Sequence, residues 1–101
     1  MAWSEAARAA AKEVRRMRAA HNKALSDWTL RGIPRNALLV GNCVQYGLAL
    51  RKAVGGGKLI EFSHPEIHNA LRFKGKYYDA GTVGRGVKNY RDLAFFKHIG
   101  K

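Results

Sequence analysis

Acidic side chains are scarce in this chain: seven Asp and Glu stand against nineteen Lys and Arg, a formal charge of +12. A field of that sign draws anionic partners and speeds their encounter, but it says nothing about the fold. Cysteine is scarcer still. The single thiol, Cys43, rules out an internal disulfide and fits a reducing, cytoplasmic compartment, so it is left for chemistry or for packing. No apolar run approaches the ~18 residues of a membrane span, and the N-terminus lacks the basic-then-apolar order of a secretory signal. What is present is ordinary for a globular protein, and 101 residues have room for one core. Residues 1–101 therefore read as one domain, opening with a basic helical stretch over 1–30.

The charge is not gathered in one tail. Residues 1–35 hold eight basic groups and residues 72–101 another eight, while residues 36–71 hold only Arg51, Lys52 and Lys58. Within the first block, residues 4–28 predict a helix: Ser4 is a possible N-cap, Glu5 stands in the first turn, and the Ala-rich body lacks Gly and Pro. Trp3, Ala7, Ala10, Val14, Met17, Ala24 and Trp28 recur at three- and four-residue steps, with His21 on the same line. Arg8, Lys12, Arg15, Arg16, Arg18 and Lys23 lie mostly off that stripe. Such a face is either simply solvated or a docking surface for nucleic acid or an acidic protein. The mostly alanine stripe offers little area for insertion into a membrane surface.

Residues 31–36 carry the turn chemistry that ends this helix, and Ile33, between Gly32 and Pro34, is expected to tuck inward. Residues 37–40 form a short apolar run that reads equally as a buried strand or as the lead-in to a helix. A second helix is predicted over 43–54, capped by Gly41 or Asn42 and stopped by three glycines at 55–57. Its spacing aligns Cys43, Tyr46, Gly47, Leu50 and Val54 on one face, with the sulfur in the first turn. Strands follow over 58–63 and 67–73, separated by a break at His64-Pro65-Glu66, and Lys74-Gly75-Lys76 turns the chain into a third strand at 77–80. The tail predicts a glycine-rich loop and then a short segment over 90–99, helix or closing strand. The class is α+β: an N-terminal helix, a central helix carrying Cys43 and a small antiparallel sheet.

The candidate chemistry lies in the least basic third. A free thiol, with a pKa near 8.5, is mostly protonated at neutral pH. A helix N-terminus and a neighbouring imidazole both favour the thiolate, which attacks amide and ester carbonyls. Cys43 has the first feature. His68 and Asp79 differ in parity, so an even hairpin loop brings them to one face. With Lys74 and Gly75 as a two-residue loop, Ala70 stands opposite Asp79 and His68 is its diagonal neighbour, within side-chain reach. A three-residue loop without a bulge would put them on opposite faces.

This order, a cysteine opening a helix, then a histidine on a strand, then a polar residue on the next strand, resembles the papain-like cysteine peptidase superfamily over roughly residues 40–80. Gly41-Asn42-Cys43 is similar to the cysteine motif of ovarian-tumour-type deubiquitinases. The compact spacing resembles the papain-fold domains of bacterial toxins, NlpC-type cell-wall peptidases and transglutaminase-like proteins. The resemblance implies Cys43 as nucleophile, His68 as general base and Asp79 as the group that orients the ring. It also implies an oxyanion donor near the cysteine, for which Asn42 and Asn36 are the available side chains, alongside the Cys43 backbone N–H. No cofactor is implied.

Metal binding is the weaker alternative for the same residues. Cys43, His64, His68 and Asp79 are all zinc-ligand types, but Pro65 breaks the helical geometry that His64 and His68 would need to share a face, and there is no second cysteine. Two functional readings stand side by side. One is a cysteine-dependent amide hydrolase or acyl-transfer enzyme, whose basic surface draws an acidic protein or peptide substrate. The other is a non-enzymatic basic module that holds nucleic acid or an acidic protein. The Ala- and Arg-rich opening resembles helices of small phage-encoded proteins, which adds a phage inhibitor or structural component on a papain-like scaffold to the second reading.

Overall fold

A computed structural model describes residues 4–64, 66–82 and 84–99. Helix α1 spans Glu5–Leu25; the Ser4 hydroxyl accepts the Ala7 N–H at 3.1 Å, relieving one of the unpaired donors of the first turn. The helix ends three residues earlier than its composition predicts. Ser26 closes it, its hydroxyl donating to the Lys23 carbonyl at 2.8 Å. Asp27 then caps a 3-10 turn over Trp28–Leu30 by accepting from the Thr29 N–H and hydroxyl.

This break removes Trp28 from the helical stripe: its side chain is 75% exposed, and Leu30 is buried instead. The stripe itself is shorter than predicted. Met17, Ala20, His21 and Ala24 are buried, whereas Ala7 and Ala10 are exposed, because only the second half of α1 lies over the core. Trp3 lies outside the described residues.

Residues 35–38 form a 3-10 turn, not a strand, and Ile33 is half-buried against the core as the flanking Gly and Pro suggest. Helix α2 spans Cys43–Val54. Gly55 ends it in the left-handed region (φ 79°), the usual escape from a helix because glycine has no Cβ to clash. The sheet has the order β1-β2-β3, with β1 at Lys58–Phe62, β2 at His68–Phe73 and β3 at Lys76–Tyr78, all antiparallel. Phe73 pairs with Lys76, so the loop is two residues long, and Lys74 and Gly75 both have positive φ (51° and 77°), the signature of a type I′ turn.

Length alone suggests room for one core, but each face of the sheet has its own, because β2 is covered from both sides. On one side α2 lies on β2 and β1, with α1 packed over α2; Met17, Tyr46, Leu50, Leu71 and Tyr78 are buried here. Gly47 lets β1 come close, since a Cβ there would meet Leu59 Cδ1 at 2.3 Å. On the other side, Ala70 meets Leu93, Phe95 and Phe96, with Phe62, Tyr77 and Tyr90 partly buried around them. Phe95 and Phe96 come from helix α3, Ala94–Ile99, so the tail segment that read equally as strand or helix is helical and closes the second core. A 3-10 turn over Tyr90–Asp92 precedes it, capped by Asn89. The architecture is α+β, and β2 is central, its first four residues buried.

Candidate functional site

Strand β2 distributes the candidate residues to the two faces by its pleat. Leu71 packs toward α2, so Asn69, two residues back, faces the same way, and His68 and Ala70 face α3. The contacts agree. Asn69 Nδ2 lies 3.9 Å from Cys43 Sγ, and the His68 ring stacks on Phe95 with centroids 4.0 Å apart.

The structure brings His68 and Asp79 together. Leu71 opposes Tyr78, which sets Asp79 across from Ala70 and diagonal to His68, and His68 Nε2 lies 3.5 Å from Asp79 Oδ2. Both side chains are shut away from solvent, at 0% and 2% exposure. The approach is close enough for an ion pair when the ring is protonated, but it is not directed as a hydrogen bond, and neither ring nitrogen has any hydrogen-bond partner. Asp79 itself is well anchored: Oδ2 accepts the Phe95 N–H at 3.0 Å and Oδ1 accepts the Gly81 N–H at 3.2 Å. It thereby caps α3 from the far end of the hairpin.

Cys43 is half-buried in the first turn of α2. It is not hydrogen-bonded to His68, since both imidazole nitrogens are unpartnered. Of the two asparagines suggested as oxyanion donors, Asn42 is the N-cap residue of α2 and makes no side-chain capping bond, while Asn36 is exposed on the preceding 3-10 turn. Asn36 lines a recess of about 440 Å³ with Ala37, Leu39, Val40 and His98. The side-chain amide that does reach the sulfur is Asn69, which sequence reasoning passed over. Its only signal is its place next to His68, one pleat away.

Beneath Cys43 on the same face of α2, Tyr46 shares a buried hydrogen bond with His21 of α1, 2.6 Å between Nδ1 and the hydroxyl. Burial, and then the charge of Arg35, lowers the pKa of His21; burial, and then Asp79, raises that of Tyr46. Both groups are thereby kept neutral, and the pair ties α1 to α2. The basic residues Arg8, Lys12, Arg15, Arg16, Arg18 and Lys23 are all exposed on α1. Among the described residues no three His, Cys, Asp or Glu side chains are grouped to hold a metal, and no helix is long and apolar enough to cross a membrane. His64 is exposed, in the bend between β1 and β2.

Comparison with protein-family models, curated proteins and solved structures finds no match, so the chemistry has to be read from the chain's own residues.

Proposed function

We propose that the chain is a cysteine-dependent amide hydrolase or acyl-transfer enzyme, related to the papain-like superfamily, with Cys43 as nucleophile, His68 as general base and Asp79 as the orienting carboxylate. One observation carries this reading: a fully buried imidazole, facing a buried carboxylate at 3.5 Å, makes no hydrogen bond at all. A buried polar group left unsatisfied costs about 1–3 kcal/mol, which an apolar residue at the same place would avoid. Chemistry is a reason to keep it. The adjacent Asn69 touches the thiol at the head of α2, on the face of β2 opposite the one that carries the His-Asp pair.

The reaction requires the start of β2 to rearrange, so that the imidazole leaves Phe95 on the α3 face and meets Sγ on the α2 face. The base then takes the thiol proton, the thiolate adds to the carbonyl carbon, and the protonated ring returns the proton to the leaving amine as the thioester forms. Water or a second amine attacks the thioester in turn, so thiol, imidazole and carboxylate suffice without a cofactor. The Cys43 N–H, and the Asn69 amide that reaches the sulfur, are the oxyanion donors of this proposal, in place of the side chains of Asn42 and Asn36. An acidic protein or peptide substrate suits the net charge of +12.

The test is labelling of Cys43 by iodoacetamide at pH 7, located by mass spectrometry, in the parent and in His68→Ala. The parent is expected to react faster than a thiol in an unstructured peptide and the variant to lose that advantage. Equal, slow labelling in both would make Cys43 a packing residue and end the enzyme reading.

A further inference from the structure

The outer face of α1 is a second feature, independent of the thiol. Turning by about 100° per residue, the helix sets Lys12, Arg15, Arg18 and Lys23 on the half-turn opposite Met17, Ala20, His21 and Ala24, with Arg16 at its edge, its guanidinium over the Phe73 ring. All five are exposed, and among the described residues none is in an ion pair; the ion pairs are Lys52 with Asp27, His68 with Asp79 and Lys74 with Glu13. Between residues 6 and 25 the only carboxylate is Glu13, which is engaged with Lys74 away from this row. A merely solvated helix face gains by mixing signs at i, i+4; this one repeats a single sign and bears the repulsion. The loop at 84–86 extends it, because Gly84 is pressed against Arg18 and the Val14 carbonyl, which brings exposed Arg85 alongside.

We infer that this face binds the sugar–phosphate backbone of a duplex nucleic acid, without reading its sequence. Two features select phosphate over an acidic protein surface. Protein interfaces draw their energy from buried aromatic and apolar anchors, and the exposed side chains interleaved with the cations here are Ala9, Ala19 and Asn22, none of them an anchor. Three of the five cations are arginine, whose planar fork matches phosphate oxygens. Asn22 is the one neutral hydrogen-bonding side chain between the cations, so the contact is dominated by attraction between cation and phosphate, which carries no sequence information.

The test is fluorescence anisotropy of the full chain with two labelled 20-base-pair duplexes of unrelated sequence, titrated at several salt concentrations, with polyglutamate as competitor. The expected result is binding to both duplexes within a few-fold, with log K falling against log salt at a slope of about −4 to −5. The triple variant Lys12→Gln, Arg15→Gln, Arg18→Gln, with folding checked by circular dichroism, should lose about three units of that slope. Absence of binding at 50 mM salt, a slope untouched by the triple variant, or displacement by polyglutamate at charge equivalence would each overturn the inference, the last in favour of an acidic protein partner.

Discussion

The ring of Phe95 lies flat on that of His68, the planes 4° apart, and the backbone N–H of the same phenylalanine is held by the carboxylate that faces His68 Nε2. Phe95 therefore covers the imidazole with its side chain and occupies the acid partner with its backbone. The start of α3 and the His-Asp pair form one unit, and whatever loosens one loosens the other.

If the enzyme reading holds, thinning that cover should raise reactivity. Phe95→Leu keeps apolar bulk but loses the stack, worth ~0.5–1.5 kcal/mol, which corresponds to about two- to tenfold in the population with the ring released. Cys43 labelling by iodoacetamide is expected to accelerate by that factor. In the double variant with His68→Ala the gain should vanish; a gain that persists would trace to general loosening of the fold.

Asp79 is expected to matter for stability before any chemistry. Asp79→Ala strips the acceptors from the Phe95 and Gly81 N–H groups and should cost about 1–3 kcal/mol. Asp79→Asn, which keeps one acceptor oxygen, should cost less. Urea unfolding of the two variants checks the order, and equal losses would show that charge, not capping, is the main contribution.

The pair of His21 and Tyr46 predicts a pH dependence. The folded-state pKa of His21 is lowered by burial and by Arg35, so below the ordinary value near 6.5 the unfolded chain takes up a proton that the folded one resists. The contribution is fully present above pH ~6.5 and is lost as pH falls through the folded pKa. Thermal melts between pH 7.5 and 5 should show the melting temperature falling more steeply in the parent than in His21→Gln. Parallel curves would assign the acid sensitivity elsewhere.

Two glycines two residues apart should respond differently to alanine. Gly55 and Gly57 both have positive φ, 79° and 96°, which costs alanine ~1–2 kcal/mol. At Gly55 a Cβ meets nothing within 4 Å, so that cost is the whole effect. At Gly57 it would stand 2.9 Å from the Arg72 carbonyl oxygen, a backbone atom held in the sheet, and the total rises to about 2–5 kcal/mol. Denaturant midpoints of the two variants decide this.

Much of the fold is local and so can be read in the chain. The cap at Ser4, the glycine stop after Val54, the face of α2 with Tyr46, Gly47 and Leu50, and the short turn that pairs Phe73 with Lys76 all follow from residues a few positions apart. Trp28 escapes because Ser26 and Asp27 satisfy the backbone before the periodic stripe has ended. Ala7 and Ala10 keep helical period but have no partner surface, and period alone cannot say how far a core extends. The site divides in the same way. Register brings His68 near Asp79, whereas the face on which Cys43 meets Asn69, and the ring that covers His68, depend on how α2 and α3 close over the sheet from opposite sides.

The tight turn at Lys74 and Gly75 fixes which lengths the hairpin tolerates. One residue gained or lost there, without a compensating bulge, would turn β3 over, sending the Tyr78 side chain toward α3 and the carboxylate at 79 toward α2. Natural relatives of this chain should therefore vary the tip of this hairpin in steps of two, and a library of single insertions at 74–75 should lose both the second core and the cap of α3 at once.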